Sequence, residues 1–223
     1  MRSKKKGFVI AIDGPAGSGK STVSKLVARQ LGLLYIDTGA MYRALTLKAM
    51  RNGLDLKNES SLTKLAVSAN IDLKEVDGHL DVFLDGEDVS GYIRTPELTN
   101  NVKYIAGVSG VRKEMVRLQR AIGERSGAVL EGRDIGTVVF PDADYKFYLD
   151  ADVAERARRR HKELFESGQK VELEPIKKDV VARDESDMKR TIGALKAADD
   201  AIVVDTTNLA IGEVVEKLLS YIK

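Results

Sequence analysis

At 223 residues, with 31% charged and 43% hydrophobic residues, the chain has the composition of a globular protein large enough to bury a core. Its formal net charge is only +2, so it lacks the strongly basic character of a typical nucleic-acid-binding domain. The absence of cysteine excludes disulfides, thiol chemistry and cysteine-ligated metals.

The N-terminus begins with basic residues, but the apolar run at 8–12 ends at Asp13. Such a run is too short for the core of a signal peptide or for a membrane span. We therefore expect a cytoplasmic, soluble protein that folds on its own, acts as a monomer and binds neither nucleic acid nor membrane.

The residue pattern predicts strands that alternate with helices. The segment GFVIAI at 7–12 has the length and branched residues of a buried parallel strand, and a glycine loop and a helix at 20–30 follow it. Further strands are predicted at 33–37, 127–132, 145–150 and 201–205, and helices at 39–50, 153–166 and 211–222. This alternation predicts an α/β fold with a parallel sheet covered by helices, and with functional sites at the carboxyl ends of the strands.

Residues 58–95 interrupt this alternation. A short helix at 61–70 is followed by IDLKEV, HLDVFLDG and EDVSG, which contain the hairpin signals Asp77-Gly78 and Asp85-Gly86. We interpret this region as a small antiparallel insertion. The chain is then a single domain over 1–223, with its core at 1–57 and 96–223.

The segment GPAGSGKST matches the phosphate-binding pattern G-x-x-x-x-G-K-[ST] between a predicted strand and a predicted helix. In such a loop the backbone N–H groups surround the phosphates, the lysine reaches the β and γ phosphates, and the serine ligates magnesium. The motif predicts a P-loop NTPase-type fold that binds ATP with Mg²⁺, and the missing N-K-x-D segment excludes a typical GTPase. The predicted ATP-binding residues are Gly14, Pro15, Ala16, Gly17, Ser18, Gly19, Lys20, Ser21 and Thr22.

Arginines at predicted strand ends suggest a second anion site. A kinase for a small acceptor needs one, because two polyanions must meet and the transition state carries charge on the moving phosphoryl group. Candidate segments are DTGAMYR at 37–43, EGRD at 131–134 and RDESDMKR at 183–190. A charged strand end such as EGRD is costly to bury unless it is paired or contacts a ligand, which favours function there. A surface arginine and a solvated ion-pair face remain alternatives for the other two segments.

Six segments in this order and at this spacing resemble the bacterial cytidylate kinase family over essentially the whole chain: GPAGSGKST, DTGAMYRA, EDVSGYIRTPE, GRDIGTVVFPDA, ERARRR and RDESD. The resemblance implies a nucleoside monophosphate kinase of pyrimidine nucleotide metabolism. Its reaction would transfer the γ-phosphoryl group of Mg-ATP to CMP or dCMP, giving CDP or dCDP and ADP. The resemblance also implies that 58–95 binds the monophosphate and that about 153–187 forms a lid over ATP.

The resemblance implies roles for particular residues. The implied CMP-binding residues are Thr38, Tyr42, Arg43, Arg112, Arg133, Asp134, Arg183, Asp187 and Arg190. Among these, Arg43, Arg133 and Arg190 would contact the acceptor phosphate. Arg112 and Asp134 would read the cytosine edge, and Arg183 and Asp187 would contact the ribose. The catalytic residues would be Lys20, Arg133, Arg156 and Arg160. Ser21 would bind magnesium directly, and Glu131, at a strand end, would hold it through water.

Two positions depart from the family pattern. Lys103 stands where a small hydroxyl residue near the base is expected, and Gly193-Ala194 replace a usual Ser-Pro. The alternatives are a kinase for another small acceptor, such as a different nucleoside monophosphate or shikimate, and an ATP-binding regulator that transfers no phosphoryl group. An RNA-binding module is a further alternative, which the near-neutral charge disfavours.

Overall fold

A five-stranded parallel sheet forms the centre of the fold, in a computed structural model that describes residues 8–76, 79–166 and 168–222. Its strands are β1 Val9–Asp13, β2 Leu34–Asp37, β6 Ala128–Gly132, β7 Tyr145–Asp150 and β8 Ile202–Asp205. They lie in the order β2-β6-β1-β7-β8, and every pair is parallel. The predicted parallel sheet is therefore confirmed.

Helices cover both faces of this sheet. They are α1 Lys20–Leu31, α2 Thr38–Arg51, α3 Glu59–Ser68, α4 Pro96–Ala106, α5 Ser109–Ser126, α6 Val153–Glu166, α7 Leu173–Met188 and α8 Ile211–Tyr221. Within the described ranges, no helix is long and apolar enough to cross a membrane.

The alternation of side chains along β1 divides the core between the two faces of the sheet. Val9 and Ala11 pack into a cluster with α2, α4, α5 and the antiparallel insertion. Ile10 and Ile12 point to the opposite face and pack with α1 and α8. All four side chains are at most 1% exposed, as expected for a central strand that is buried on both faces.

The predicted antiparallel insertion is present as a three-stranded sheet. Its strands are β3 Ile71–Val76, β4 His79–Leu84 and β5 Glu87–Asp88, and both pairs are antiparallel. Asp85 and Gly86 connect β4 to β5 with φ angles of 52° and 91°, the positive values that a two-residue hairpin of the primed type requires. This predicted turn is confirmed, whereas Asp77-Gly78 lies outside the described residues.

A single π-helical turn, Ile135–Val139, follows β6. Its first N–H groups, from Ile135 and Gly136, donate to the carboxylate of Asp13 at 2.8 and 2.7 Å. The end of β1 therefore fixes the segment that follows β6, and two neighbouring strands deliver their carboxyl ends to one place.

Candidate functional site

The carboxyl ends of β1, β2 and β6 open into a cleft of about 1540 Å³. The predicted residues that line it are Ala16, Gly17, Ser18, Gly19, Lys20, Ser21, Thr22, Thr38, Tyr42, Arg43, Arg112, Glu131, Arg133, Asp134, Arg160, Arg183, Asp187 and Arg190. Gly14, Pro15 and Arg156 do not line the cleft. The fold thus brings together residues that lie up to 174 positions apart in the chain.

The phosphate-binding loop wraps tightly between β1 and α1. Gly14 has a φ of +148°, and a Cβ at this position would lie 2.0 Å from the carbonyl oxygen of Leu149, so only glycine fits. Gly19 adopts a left-handed conformation, with φ +87°, immediately before the first residue of α1. This turn directs the loop backbone and the helix N-terminus toward the cleft, the arrangement that binds anions.

Lys20 is buried at the base of the loop, with 5% of its surface exposed. Its Nζ donates to the carbonyl oxygen of Pro15 at 2.6 Å and to the hydroxyl of Ser18 at 3.4 Å. Burial, together with the charge of Arg133, lowers the pKa of Lys20 to about 7. An arriving polyphosphate would reverse this effect, because a nearby anion favours the charged ammonium.

Glu131, at the end of β6, accepts two hydroxyl hydrogen bonds. Ser21 Oγ donates to Oε2 at 2.9 Å, and the phenol of Tyr35 donates to Oε1 at 2.5 Å. Burial, reinforced by the nearby charge of Asp37, raises the pKa of the Glu131 carboxyl. Burial likewise raises the pKa of Asp13 to about 6, although its backbone hydrogen bonds oppose the shift.

Ser21 and Glu131 fit a magnesium ion that arrives with the nucleotide. Within the described part of the chain, no group of three or more histidine, cysteine or acidic residues is arranged to hold a metal alone. Magnesium usually binds through one or two protein oxygens together with water and substrate phosphates. A serine hydroxyl hydrogen-bonded to a carboxylate beside the phosphate-binding loop is such a donor set.

The N-terminus of α2 forms one wall of the cleft. Asp37 caps this helix, because its Oδ1 accepts a hydrogen bond from the N–H of Ala40 at 2.8 Å. Its Oδ2 pairs with Arg43 at 2.9 Å. Thr38 is held by a 2.6 Å hydrogen bond to the carbonyl oxygen of Glu131. The Nε of Arg43 is buried without a hydrogen-bond partner among the described residues, which leaves a donor for a ligand.

Asp187 joins two of the predicted phosphate-binding arginines. Its carboxylate accepts from Arg133 Nε at 2.8 Å and from Arg190 Nη2. Although burial acts to raise it, these two arginines hold the pKa of Asp187 below its ordinary value. Helix α7 ends at Met188, so Arg190 lies two residues beyond the helix that carries Arg183 and Asp187.

A buried ion pair lies at the end of the cleft nearest α5. Arg112 Nη2 donates to Asp134 Oδ2, and the two residues are 3% and 6% exposed. The guanidinium also lies 5.8 Å from the centre of the Tyr42 ring and donates to the carbonyl oxygen of Ala106 at 3.3 Å. Burial raises the pKa of Asp134, and Arg112 opposes the shift.

The arginines of α6 divide into buried and exposed members. Arg156 donates to the carbonyl oxygen of Ala16 at 3.1 Å and pairs with Asp184 at 2.6 Å. It therefore holds the phosphate-binding loop without lining the cleft. Arg159 donates to both oxygens of Thr206, the hydroxyl at 3.1 Å and the carbonyl at 2.6 Å. Arg160 is exposed and pairs only with Glu163, at 3.0 Å, among the described residues.

Several residues that line the cleft were given no role from the sequence. Asp37 had a signal, since an aspartate directly before a helix is a typical cap. Arg94 lies near the end of the 58–95 insertion, and Thr206 lies after β8, where its hydroxyl donates to the carbonyl oxygen of Ser18 at 3.1 Å. Arg94 falls in EDVSGYIRTPE, one of the six segments that carry the resemblance, whereas no local pattern marks Thr206. Lys103, one of the departures, is exposed on α4 and lines the same cleft.

Comparison with known proteins identifies the family. A model of the cytidylate kinase family matches residues 10–223. A cytidylate kinase of Shouchella clausii is 50% identical over 218 residues, which cover 98% of this chain and 97% of the relative. A cytidylate kinase of Clostridioides difficile is 48% identical over 215 residues, covering 96% and 98%. The chain belongs to the cytidylate kinase family. The resemblance that the six segments carry is therefore confirmed.

The cytidylate kinase fold is also found at low sequence identity. The crystal structure of an uncharacterized protein from Eubacterium ventriosum superposes with a TM-score of 0.50 at 12% identity, covering 96% of this chain and 98% of the other. At that identity the match shows only that the two chains share a fold.

Proposed function

We propose that the cleft transfers the γ-phosphoryl group of Mg-ATP to the phosphate of CMP or dCMP, giving ADP and CDP or dCDP. Membership in the cytidylate kinase family makes the chain an ATP-dependent CMP kinase, and the proposal adds the roles of its residues. One observation carries these roles. Arg133 and Arg190 flank a single carboxylate, Asp187, in the cleft that Lys20 also lines.

The donor triphosphate would lie on the phosphate-binding loop. Its oxygens would accept hydrogen bonds from the N–H groups of the loop and of the first turn of α1. Lys20 would exchange its hydrogen bond with the carbonyl oxygen of Pro15 for contacts with the β and γ phosphates. Magnesium, held by Ser21 and through water by Glu131, would neutralise charge on the phosphates. Arg160 is exposed at the cleft, and its position supports closure over the triphosphate.

The catalytic role of Arg156 stays a prediction, and its burial favours action through the loop. Its guanidinium contacts Ala16 and Asp184 and does not line the cleft. We therefore assign it as a positioning residue, which affects the phosphates by holding the phosphate-binding loop in place.

The acceptor phosphate would replace Asp187 between the arginines. Two planar guanidinium groups match a phosphate with paired hydrogen bonds, and Arg43 adds a third donor from α2. The phosphate attacks without a general base, because its second pKa is about 6 and it is largely ionised near neutral pH. The protein's contribution is the alignment of two polyanions and the neutralisation of the developing charge.

The base would be selected at Asp134 and Arg112. The Asp134 carboxylate accepts a hydrogen bond from the exocyclic amine of cytosine, and Arg112 donates to the acceptors of the same edge. Uracil presents a carbonyl where cytosine has the amine, so the uracil oxygen and the Asp134 carboxylate, both hydrogen-bond acceptors, would face each other. Sites of this kind discriminate by factors of about 10⁴. The ribose is assigned to Arg183 and Asp187, which line the adjoining part of the cleft.

The test is steady-state phosphoryl transfer from Mg-ATP to CMP, dCMP, UMP, AMP, GMP and shikimate, with each product identified. We expect kcat/KM for CMP and dCMP to exceed that for UMP by about 10⁴. Asp134→Asn should reduce this ratio, since an amide N–H can donate to the uracil carbonyl. Comparable rates with CMP and UMP, or ATP hydrolysis without a phosphorylated nucleoside, would contradict the assigned acceptor site.

A further inference from the structure

The Arg112–Asp134 pair, assigned above to the base, is held on several sides. The ring of Tyr42 and the carbonyl oxygen of Ala106 contact the guanidinium. Arg112 Nε is buried and has no hydrogen-bond partner among the described residues. The position of this pair therefore depends on packing more than on a saturated hydrogen-bond network.

Gly193 packs directly on this ion pair. A Cβ built on Gly193 would lie 1.8 Å from Arg112 Nη2, 2.4 Å from Arg112 Cζ and 2.3 Å from Asp134 Oδ2. Each of these distances is far shorter than a van der Waals contact. Gly193 also has a φ of +66°, a left-handed conformation that glycine adopts without steric cost. A backbone without a side chain is what allows the loop to approach the pair this closely.

The loop that carries Gly193 is anchored at both ends. Before it, Arg190 pairs with Asp187. After it, Leu195 is 7% exposed, and its N–H donates to the carbonyl oxygen of Asp187 at 3.0 Å. Because the two anchors lie on the same residue of α7, the loop cannot move away from the pair without disturbing them.

Gly193 does not line the cleft, whereas Arg112 and Asp134 do. The glycine therefore contacts the pair from outside the space that the acceptor would occupy. A side chain at position 193 would push the two charged groups into that space or apart from each other.

We propose that Gly193 is a positioning residue for base recognition, which sets the place of the Arg112–Asp134 pair through direct backbone contact. The inference rests on the proposed function, in which this pair reads the cytosine edge. In this chain, where Gly193 stands in place of the serine usual in the family, the selectivity for cytosine then depends on the close backbone approach of a loop that touches neither base nor phosphate.

The test compares Gly193→Ala with Gly53→Ala. Gly53 has nearly the same φ, +62°, but a Cβ there would meet nothing within 4 Å. Both variants carry the backbone strain of a left-handed alanine, and only the first adds the collision. We expect Gly193→Ala to reduce kcat/KM for CMP by about a hundredfold, the typical effect of a misplacement of about 1 Å. The ratio of CMP to UMP activity should fall by at least about tenfold, while the KM for ATP stays within about twofold of the Gly53→Ala value.

The CMP to UMP ratio separates this role from a general disturbance of the site. A shift of Arg190 would weaken both acceptors equally, because CMP and UMP carry the same phosphate. If Gly193→Ala proves insoluble, a variant with one glycine inserted after Ala194 loosens the same contact without a Cβ, and its ratio should also fall. A ratio equal to that of Gly53→Ala, or an unchanged ratio in the insertion variant, overturns the inference.

Asp134→Asn distinguishes failure of this inference from failure of the proposed function. If it leaves the CMP to UMP ratio at the wild-type value, Asp134 does not read the base, and both proposals are wrong. If it collapses the ratio and Gly193→Ala does not, only the role of Gly193 is refuted. If both variants lower the ratio, the double variant should be less than additive, because both act on one ion pair.

Discussion

Lys20 should take up a proton when nucleotide binds. In the free protein, burial and the charge of Arg133 lower its pKa to about 7. Among the described residues, its ammonium donates hydrogen bonds only to neutral oxygens, those of Pro15 and Ser18. A bound polyphosphate places several negative charges beside the same atom, which restores the preference for the charged form. The complex therefore binds more protons than the free protein at slightly alkaline pH.

The size of this uptake follows from the pKa of Lys20. With a pKa of about 7, about nine-tenths of the lysine is neutral at pH 8. If the complex holds it fully charged, binding takes up the same fraction of a proton. The sign is fixed by linkage: because the complex is the more protonated state, nucleotide affinity must fall as pH rises above about 7.

The assay is calorimetric titration with Mg-ADP at pH 8 in buffers of different ionisation enthalpy. At this pH the nucleotide phosphates are already ionised, so they contribute little. Lys20→Arg is the matched control, since its guanidinium stays charged in the free protein, and Lys20→Met removes the titrating group. Equal proton uptake by wild type and both variants would refute the reasoning, even if the variants bind more weakly.

Three further predictions concern buried groups. Asp13 has a folded pKa of about 6 against an ordinary value of 3.8, so the free energy of unfolding should fall by about 3 kcal/mol as pH rises from about 4 to 6. Urea titrations should show that Asp13→Asn lacks this fall in the free energy of unfolding. Tyr35→Phe removes a hydrogen bond to Glu131, and the Mn²⁺ affinity of the nucleotide complex, followed by paramagnetic resonance, should weaken by about tenfold; unchanged affinity contradicts the magnesium assignment. Phe147→Ala, at a side chain 1% exposed, should cost about 3–5 kcal/mol of stability in urea, and a loss below 1 kcal/mol would contradict its place in the core.

The parts of the fold with strong local signals were predictable from sequence. The strand predicted at 145–150 has the same bounds in the structure, and the phosphate-binding loop lies between β1 and α1 as its motif requires. Helix α4 was not among the predicted elements, although Thr95 as its cap, Pro96 at its first position and Glu97 in its first turn are typical start signals. That element was missed although its local signal was present.

Other features have no local signal, because their partners are distant in the chain. The π-helical turn is held by Asp13, more than 120 residues earlier, and the bond from Tyr35 to Glu131 spans 96 residues. The sequence indicated that the acceptor arginines are grouped, since strand ends meet at one edge of a sheet. It did not indicate which carboxylate holds them, because pairing depends on where α7 places Asp187 relative to Arg133, which follows β6.

On the proposed function, the pairing of Arg133 and Arg190 with Asp187 would explain how a site for two polyanions is stable before either binds. Clustered guanidinium groups repel one another, and an unpaired buried charge is costly. The carboxylate of Asp187 bridges the two arginines, with one oxygen accepting from Arg133 and the other from Arg190, so both guanidinium groups are already close together when the acceptor binds. A phosphate, with greater charge than the carboxylate, then competes for donors that need little rearrangement. On the proposed function, Asp187 would thus act as an internal substitute for the substrate phosphate, and this role would explain why a carboxylate lies among the arginines of a site that binds anions.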